Sequence, residues 1–118
     1  MPVTRIVAYA DGNNTDASRD FYVDVLGLEV AMDDPILGLI SPDNPTAQVL
    51  IPPLDLESPA PRFGVDVGNA AAVDAAHAQA VERGLRIVYE IRDEPWGVRR
   101  FFVEDPGGTV INVLAHLG

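Results

Sequence analysis

The sequence has no cysteine and no lysine, and it contains only two histidines and one tryptophan. Without cysteine, disulfide frameworks, thiolate zinc sites and cysteine nucleophiles are all excluded. No stretch approaches the roughly 18 consecutive apolar residues that a membrane-spanning helix needs, and the first residues lack the basic and apolar regions of a secretory signal. We therefore expect a cytoplasmic protein with no membrane role. We also expect a single domain over residues 1–118, because this length suits one hydrophobic core.

Negative charge dominates, since 18 aspartates and glutamates stand against 8 arginines and the net charge is −10. Such a surface repels phosphate backbones and anionic lipids, so we expect no nucleic-acid partner. Residues 1–57 hold ten acids and two arginines, whereas residues 58–118 hold eight acids and six arginines. The acidic exterior either steers in a cationic or neutral ligand or simply keeps the protein soluble.

An internal repeat organises the chain. Residues 5–10 and 62–67 share one apolar pattern and lie 57 positions apart, and Gly27-Leu28-Glu29-Val30 matches Gly84-Leu85-Arg86-Ile87 at the same offset. Two segment pairs with one spacing indicate a duplicated structural unit. Each half is predicted to begin with a strand, to continue through a helix that ends at glycine, and to re-enter strand.

Local sequence patterns predict the limits of the helices and strands. Asn13, Asn14, Thr15 and Asp16 are candidate N-caps of the first helix, and Asn69 is the candidate for the second. The first helix is expected to bury Ala17, Phe21, Tyr22, Val25, Leu26 and Leu28, and the second Val73, Ala76, Ala80 and Val81. Strands are expected over Glu29–Asp33, Leu37–Ser41, Ala47–Ile51, Arg86–Arg92, Val98–Glu104 and Thr109–Ala115. The predicted fold is α+β, with two βαβββ modules in tandem at 1–52 and 62–118 and a proline-rich linker at 53–61.

Three segments carry a family resemblance: 18–28 (SRDFYVDVLGL), 96–101 (WGVRRF) and 105–113 (DPGGTVINV). They resemble the first-helix signature, the Trp-Gly hairpin and the terminal strand of the vicinal-oxygen-chelate superfamily, which includes glyoxalases, bleomycin resistance proteins and extradiol dioxygenases. The resemblance implies curved mixed sheets that enclose a cavity, and a homodimer. Some members hold a divalent ion with His, Glu or Gln from the first and last strands of each module, and others bind antibiotics without metal.

The chain departs from the metal-binding pattern. Arg5 and Arg62 fall where the family carries first-strand histidines, and a guanidinium has no lone pair to donate. Asn112 replaces the last-strand glutamate, and its counterpart in the first module lies within 48–50. His77 is expected mid-helix and His116 beyond the last strand, so neither is expected to bind metal. We therefore predict no metal and no cofactor, as in the metal-free bleomycin-resistance-like branch.

The pairing of the last two predicted strands indicates which residues line a pocket. A tight turn at Pro106-Gly107 pairs Phe101 with Asn112 and Arg99 with Leu114, which places Arg99 and Phe101 beside Asn112. A one-residue bulge would replace them by Arg100 and Phe102. Trp96 is either an aromatic lid or an anchor of its own hairpin. The predicted ligand-binding residues are Arg5, Tyr9, Arg62, Trp96, Arg99, Phe101 and Asn112.

Three functions remain open. The first is metal-free binding of a small organic molecule, with sequestration of an antibiotic as one form of it. The second is a metal-dependent or metal-free lyase, isomerase or dioxygenase of the same superfamily, for which Glu90, Glu94 and Glu104 are the carboxylates to inspect. The third is a dimeric interaction module.

Overall fold

The structure is a computed structural model that describes residues 2–118. The chain divides into two compact units. The N-terminal unit is Val7–Ser58, and the C-terminal unit is Pro59–Gly118 together with the chain up to Ile6. The elements follow the order strand, helix and three strands, twice over, which confirms the α+β class and the two βαβββ modules. Between the modules, residues 52–62, all of them described, contain neither helix nor strand.

Four strands form the sheet of the N-terminal unit, with both parallel and antiparallel neighbours. They are β1 (Arg5–Tyr9), which belongs to this unit from Val7 onward, β2 (Glu29–Met32), β3 (Leu37–Ser41) and β4 (Asn44–Ile51). Strand β4 is parallel to β1 and antiparallel to β3, and β2 pairs antiparallel with the far side of β3. The core on this sheet is Leu37, Leu39 and Ile51, each at most 2 % exposed.

The helix of this unit is irregular. Helix α1 (Thr15–Asp20) begins with the predicted cap, since the Ala17 backbone N–H donates to Asn14 Oδ1 at 3.2 Å. It then widens into a π-helix over Phe21–Val25, whose wider turn rotates every later side chain away from the α-helical pattern. Tyr22, Val23 and Leu28 therefore pack on the core. The expectation that Ala17, Phe21, Val25 and Leu26 are buried is wrong, since Ala17 is exposed and the other three are 49 %, 67 % and 57 % exposed.

The C-terminal unit repeats the plan. Its elements are β5 (Phe63–Asp66), α2 (Ala70–Glu82), β6 (Ile87–Asp93), β7 (Val98–Glu104) and β8 (Val110–His116). Strand β8 is parallel to β5 and antiparallel to β7, and β6 is antiparallel to β7. Asn69 caps α2 as predicted, because the Ala72 N–H donates to Asn69 Oδ1 at 2.8 Å.

One face of this sheet packs against α2. The core joins Val73 and Ala80 of the helix to Phe101, Val103, Val113 and Ala115 of β7 and β8, with Ala76 at its edge. The predicted burial of Val81 is wrong, because this side chain is 55 % exposed. No helix among residues 2–118 is long and apolar enough to cross a membrane.

Candidate functional site

The opposite face of the C-terminal sheet, which we call the distal face, carries the polar groups. Side chains alternate along a strand, so Phe101 and Val103 point to α2 while Arg100 and Phe102 point away. Across the ladder, Arg100 lies opposite Leu114 and Phe102 opposite Asn112. Beside β8, β5 places Gly64 next to Asn112 and Asp66 next to Leu114. The distal face therefore gathers Asp66, Arg100, Phe102, Asn112 and Leu114.

This register corrects the pairing expected from the sequence. The hairpin does not turn tightly at Pro106-Gly107, because the Asp105 N–H donates to the Thr109 carbonyl and closes a longer loop. Asp105 Oδ1 accepts from the N–H groups of Gly107 and Thr109, and Gly108 takes a positive φ of 89°. A loop of this kind, a turn followed by a left-handed glycine, shifts the partner strand by one residue. The alternative pair, Arg100 and Phe102, therefore faces the same way as Asn112.

Arg99 and Phe101 consequently lie on the other side of the sheet. Phe101 is 1 % exposed and belongs to the core beneath α2. The Arg99 guanidinium contacts Asp74 of α2 at 3.0 Å and Asp93 of β6 at 2.7 Å. Its hydrogen bonds to Asp93 lower the pKa of that carboxyl and raise the pKa of Arg99 itself. The sequence analysis predicted that both side chains share a face with Asn112, and that prediction is wrong.

The first polar group on the distal face is the Arg100 cluster, formed by Tyr89, Glu94, Trp96, Arg100 and Phe102. Arg100 and Glu94 form an ion pair at 2.7 Å, and their side chains are only 4 % and 3 % exposed. The Tyr89 hydroxyl donates to Glu94 Oε2 at 2.5 Å. The guanidinium carbon lies 5.0 Å from the ring centroids of Tyr89 and Trp96 and 4.8 Å from that of Phe102. A buried cation is thus enclosed by one carboxylate and three aromatic rings, which stabilise it electrostatically.

The turn between β6 and β7 builds this cluster. The Glu94 N–H donates to the Val98 carbonyl at 2.7 Å, and the Gly97 N–H donates back to the Glu94 carbonyl at 3.0 Å. These bonds place Glu94 and Trp96 next to Arg100, the third residue of β7. The Trp96 ring is half-buried against Arg100. It therefore packs on its own hairpin while part of its surface stays accessible. This geometry is compatible with an anchor of the hairpin and with an aromatic lid over a ligand.

The second polar group is the Arg5 cluster, formed by Arg5, Asp66 and His116. Arg5 Nε donates to Asp66 Oδ2 at 2.7 Å, and the two side chains are 12 % and 8 % exposed. A second guanidinium nitrogen lies 2.6 Å from His116 Nε2. Because a guanidinium can only donate, His116 accepts through Nε2 and carries its proton on Nδ1. Asp66 is further fixed by the Gly68 N–H at 2.9 Å.

The remaining predicted residues are more dispersed. Asn112 is 2 % exposed in the middle of the distal face. Arg62 is exposed just before β5, where its backbone N–H donates to the Val110 carbonyl. Tyr9 ends β1 in the N-terminal unit and is half-buried. Of the three candidate carboxylates, Glu94 alone is buried, while Glu90 is exposed and Glu104 contacts Arg86 at 3.4 Å.

The Arg100 cluster predicts a pH effect. Burial, and then the hydrogen bond to Glu94, raise the pKa of Tyr89 above its ordinary value of 10.0. The unfolded chain then loses the Tyr89 proton at lower pH than the folded chain, so stability present below pH 10 falls as pH rises above it. We expect the free energy of unfolding, measured in urea, to fall above about pH 10 in the native chain. The fall should be smaller in Tyr89→Phe and unchanged in Tyr22→Phe; an identical fall in all three proteins would contradict it.

The chain matches a known protein family over most of its length. The family model described as Glyoxalase/Bleomycin resistance protein/Dioxygenase superfamily matches residues 10–113. The chain belongs to this superfamily. A search of the curated proteins found no relative that matches.

Solved structures share the superfamily fold. A methylmalonyl-CoA epimerase from Mycobacterium tuberculosis is 20 % identical with a TM-score of 0.75, over 98 % of this chain and 90 % of that one. A methylmalonyl-CoA epimerase from Streptomyces coelicolor, in complex with 2-nitronate-propionyl-CoA, is 18 % identical with a TM-score of 0.73, over 98 % and 96 %. A superfamily member from Vibrio splendidus 12B01 is 21 % identical with a TM-score of 0.62, over 96 % and 98 %. At these identities the likeness establishes the fold alone.

A divalent metal does not fit the donor set of this superfamily member. Arg5 and Arg62, which the family resemblance assigns to the first-strand ligand positions, carry guanidinium groups, and a protonated guanidinium repels a cation. The nearby groups that could donate, Asp66 and His116, are bonded to the Arg5 guanidinium instead. Within residues 2–118 no three His, Asp or Glu side chains come together as a metal site. An amide at Asn112 would add no charge to offset the dehydration of the ion.

Proposed function

We propose that this superfamily member binds a small organic molecule on the distal face without a metal ion. The observation that carries the proposal is the Arg5 cluster. The Arg5 guanidinium, at the position where the resemblance to metal-binding members predicts a histidine, engages both neighbouring groups that could donate a lone pair. The charge that a metal would supply is therefore replaced by a side chain that stays protonated at all physiological pH values.

The polar clusters support a binding role for this face. A sheet face that served only to pack would be apolar, because the desolvation of a buried ion pair can cost more free energy than the pairing returns. Here two ion pairs, Arg5–Asp66 and Arg100–Glu94, and the Asn112 amide lie on the distal face. The half-buried Trp96 adds accessible aromatic surface beside Arg100. This combination favours a planar ligand that carries oxygen acceptors, since guanidinium and amide groups donate to such oxygens.

Sequestration of an antibiotic is the form of this function that we propose to test first. Trp96 is the only tryptophan of the chain and borders the Arg100 cluster, so its fluorescence reports a ligand there. A panel of antibiotics and planar aromatic acids is titrated while this emission is followed, with Trp96→Phe as the blank. We expect one compound class to saturate the signal, unaffected by EDTA, and to be recovered unchanged. If EDTA abolishes binding and Mn²⁺, Ni²⁺ or Zn²⁺ restores it, the metal-free proposal is wrong.

Metal analysis gives a separate prediction. Protein purified without an affinity tag should contain far less than one divalent ion per chain. Its melting temperature should move by less than about 1 °C in Ni²⁺, Mn²⁺ or Zn²⁺, because a ligand stabilises a protein only if it binds the folded state. The comparison variant Arg5→His removes the guanidinium and places a third donor beside Asp66 and His116. Stabilisation of Arg5→His alone would show that Arg5 excludes the ion; stabilisation of the native chain would refute the prediction.

The alternative is an enzyme of the same superfamily. The observation that favours it is the presence of groups on the distal face that can exchange protons, namely the His116 imidazole and the Tyr89–Glu94 pair. General acid-base catalysis needs such groups within reach of a substrate. Chemical change of a bound compound, followed by NMR, would favour this lyase or isomerase function over sequestration. Assembly as a homodimer and a cytoplasmic location stay predictions from the sequence.

A further inference from the structure

A groove of about 390 Å³ lies on the other side of the C-terminal sheet, beside α2. It is separate from the distal face, because its floor is formed by side chains that point toward the helix. Its lining is apolar except for two residues at the C-terminal end of α2. The residues are Ala76, Gln79, Ala80, Arg83, Leu85, Phe101, Val103 and Val113.

The groove follows from the composition of α2. Val73 fills the space under the first half of the helix and is fully buried. Further along, Ala76 and Ala80 are the residues that face the sheet, and their side chains end at the β-carbon. Space is therefore left beside the helix, bordered by the half-buried Ala76 and Leu85, while Phe101 and Val113 at its floor are 1 % and 7 % exposed. Water in such a groove finds few hydrogen-bonding partners, so an apolar group can displace it favourably.

Arg83 gives the groove its charge preference. Seven of the chain's eight arginines lie in the C-terminal unit. Within the part of the chain that the structure describes, every arginine except Arg62 and Arg83 has a carboxylate within 4.0 Å. Arg83 is exposed at the end of α2, where it borders the groove. Its charge is therefore available to an anion from outside the chain, and the Gln79 amide lies one helical turn away.

The two units differ in how they would treat an anion. The N-terminal unit holds ten acids and one arginine, whereas the C-terminal unit holds eight acids and seven arginines. Taken by itself, the C-terminal unit is close to neutral, with a net charge of −1. An anion that approaches Arg83 is thus not repelled by the charge of its own unit.

We propose that this groove binds an apolar monocarboxylic acid. The hydrocarbon part lies in the groove beside α2, along Ala76 and Leu85, and the carboxylate accepts hydrogen bonds from Arg83. The volume lies at the lower end of the roughly 300–1,000 Å³ range of small-molecule pockets, which suits one medium-length chain or one ring. The site does not depend on the distal face or on the function proposed for it.

Octanoate and 1-octanol serve as probes, because they share a chain and differ in the charged end. Binding to the native full-length chain is measured by NMR titration of methyl groups. We expect octanoate to shift the methyl signals of Leu85 and Val113 and not those of Leu114 and Val98. Arg83→Gln should weaken octanoate about tenfold, since a charge-assisted hydrogen bond is lost, and should leave octanol within about twofold. Arg86→Gln, an exposed arginine that does not line the groove, should change neither.

Filling the groove is the complementary test. Ala76→Leu keeps high helix propensity and should weaken both probes about tenfold or more by occupying their space. If Ala76→Leu does not fold, the exposed position Gln79→Leu takes its place. The proposal is overturned if octanoate does not bind below about 10 mM. It is equally overturned if Arg83→Gln and the groove-filling variant both leave the octanoate affinity unchanged, or if the NMR shifts fall on Leu114 and Val98. It is also overturned if the native chain self-associates and Ala76→Leu abolishes that association, because the groove is then an interface between copies.

Discussion

Replacing Arg100 by methionine should lower the free energy of unfolding by about 3–5 kcal/mol, because it removes one partner of a buried ion pair. The Glu94 carboxylate would remain in a site where its side chain is 3 % exposed. Its other basic partner, Arg92, contacts the second carboxylate oxygen at 3.0 Å but is 59 % exposed and so compensates weakly. Urea unfolding followed by circular dichroism measures the loss.

Two comparisons make this prediction specific to the pair. The double variant Arg100→Met with Glu94→Gln removes both charges and should recover most of the lost stability, because the amide oxygen can still accept from Tyr89. Arg86→Met breaks the exposed contact with Glu104 and should cost less than about 1 kcal/mol. A loss below 1 kcal/mol in Arg100→Met would mean that the pair is hydrated rather than buried.

Much of the fold could be predicted because its signals are local. A side-chain oxygen at Asn69 and a glycine at 84 mark the two ends of α2, and both act through residues a few positions away. The repeat added long-range information, since one offset relates whole modules. Strand limits were accurate to one residue except at β4, which begins at Asn44 rather than Ala47.

The first helix shows where local reasoning fails. Its apolar spacing fits an α-helix, yet the chain forms a π-helix over Phe21–Val25. The two differ by one residue per hydrogen-bonded turn, and apolar periodicity over eleven residues cannot distinguish them. That difference moves Val25 from the expected core to the surface and leaves Tyr22 and Leu28 to pack on β3 and β4.

The candidate site was predicted in part. The sequence analysis placed Asn112 on the same sheet face as an arginine and a phenylalanine of β7. Which arginine and phenylalanine these are depends on the length of the hairpin loop, because one extra residue shifts the register by one. Asp66 was missed because it meets Arg5 across 61 positions, a distance in sequence over which no local pattern operates. Tyr89 was missed for a different reason: β-bulges in β6 change which of its residues face Arg100.

The observed register of β7 and β8 predicts a second large loss of stability. It concerns Phe101, which the sequence analysis placed in the pocket. Phe101→Ala should lower the free energy of unfolding by about 3–5 kcal/mol, because it opens a cavity in the core beneath α2. Phe101 is 1 % exposed there, and its ring lies edge-on to His77 with 5.0 Å between centroids. Phe101→Leu, which keeps most of the volume, should lose clearly less.

Arg99→Ala is the companion variant, because Arg99 lies on the same strand and the same face. Its ion pairs with Asp74 and Asp93 are half exposed at the acidic partners, so its loss should cost at most about 1 kcal/mol. Both proteins should also bind any distal-face ligand with the native affinity once folded, as Trp96 fluorescence would report. If Phe101→Ala kept its stability and lost the ligand, then Phe101 rather than Phe102 would face Asn112, and the tight hairpin at Pro106-Gly107 would have to replace the five-residue loop.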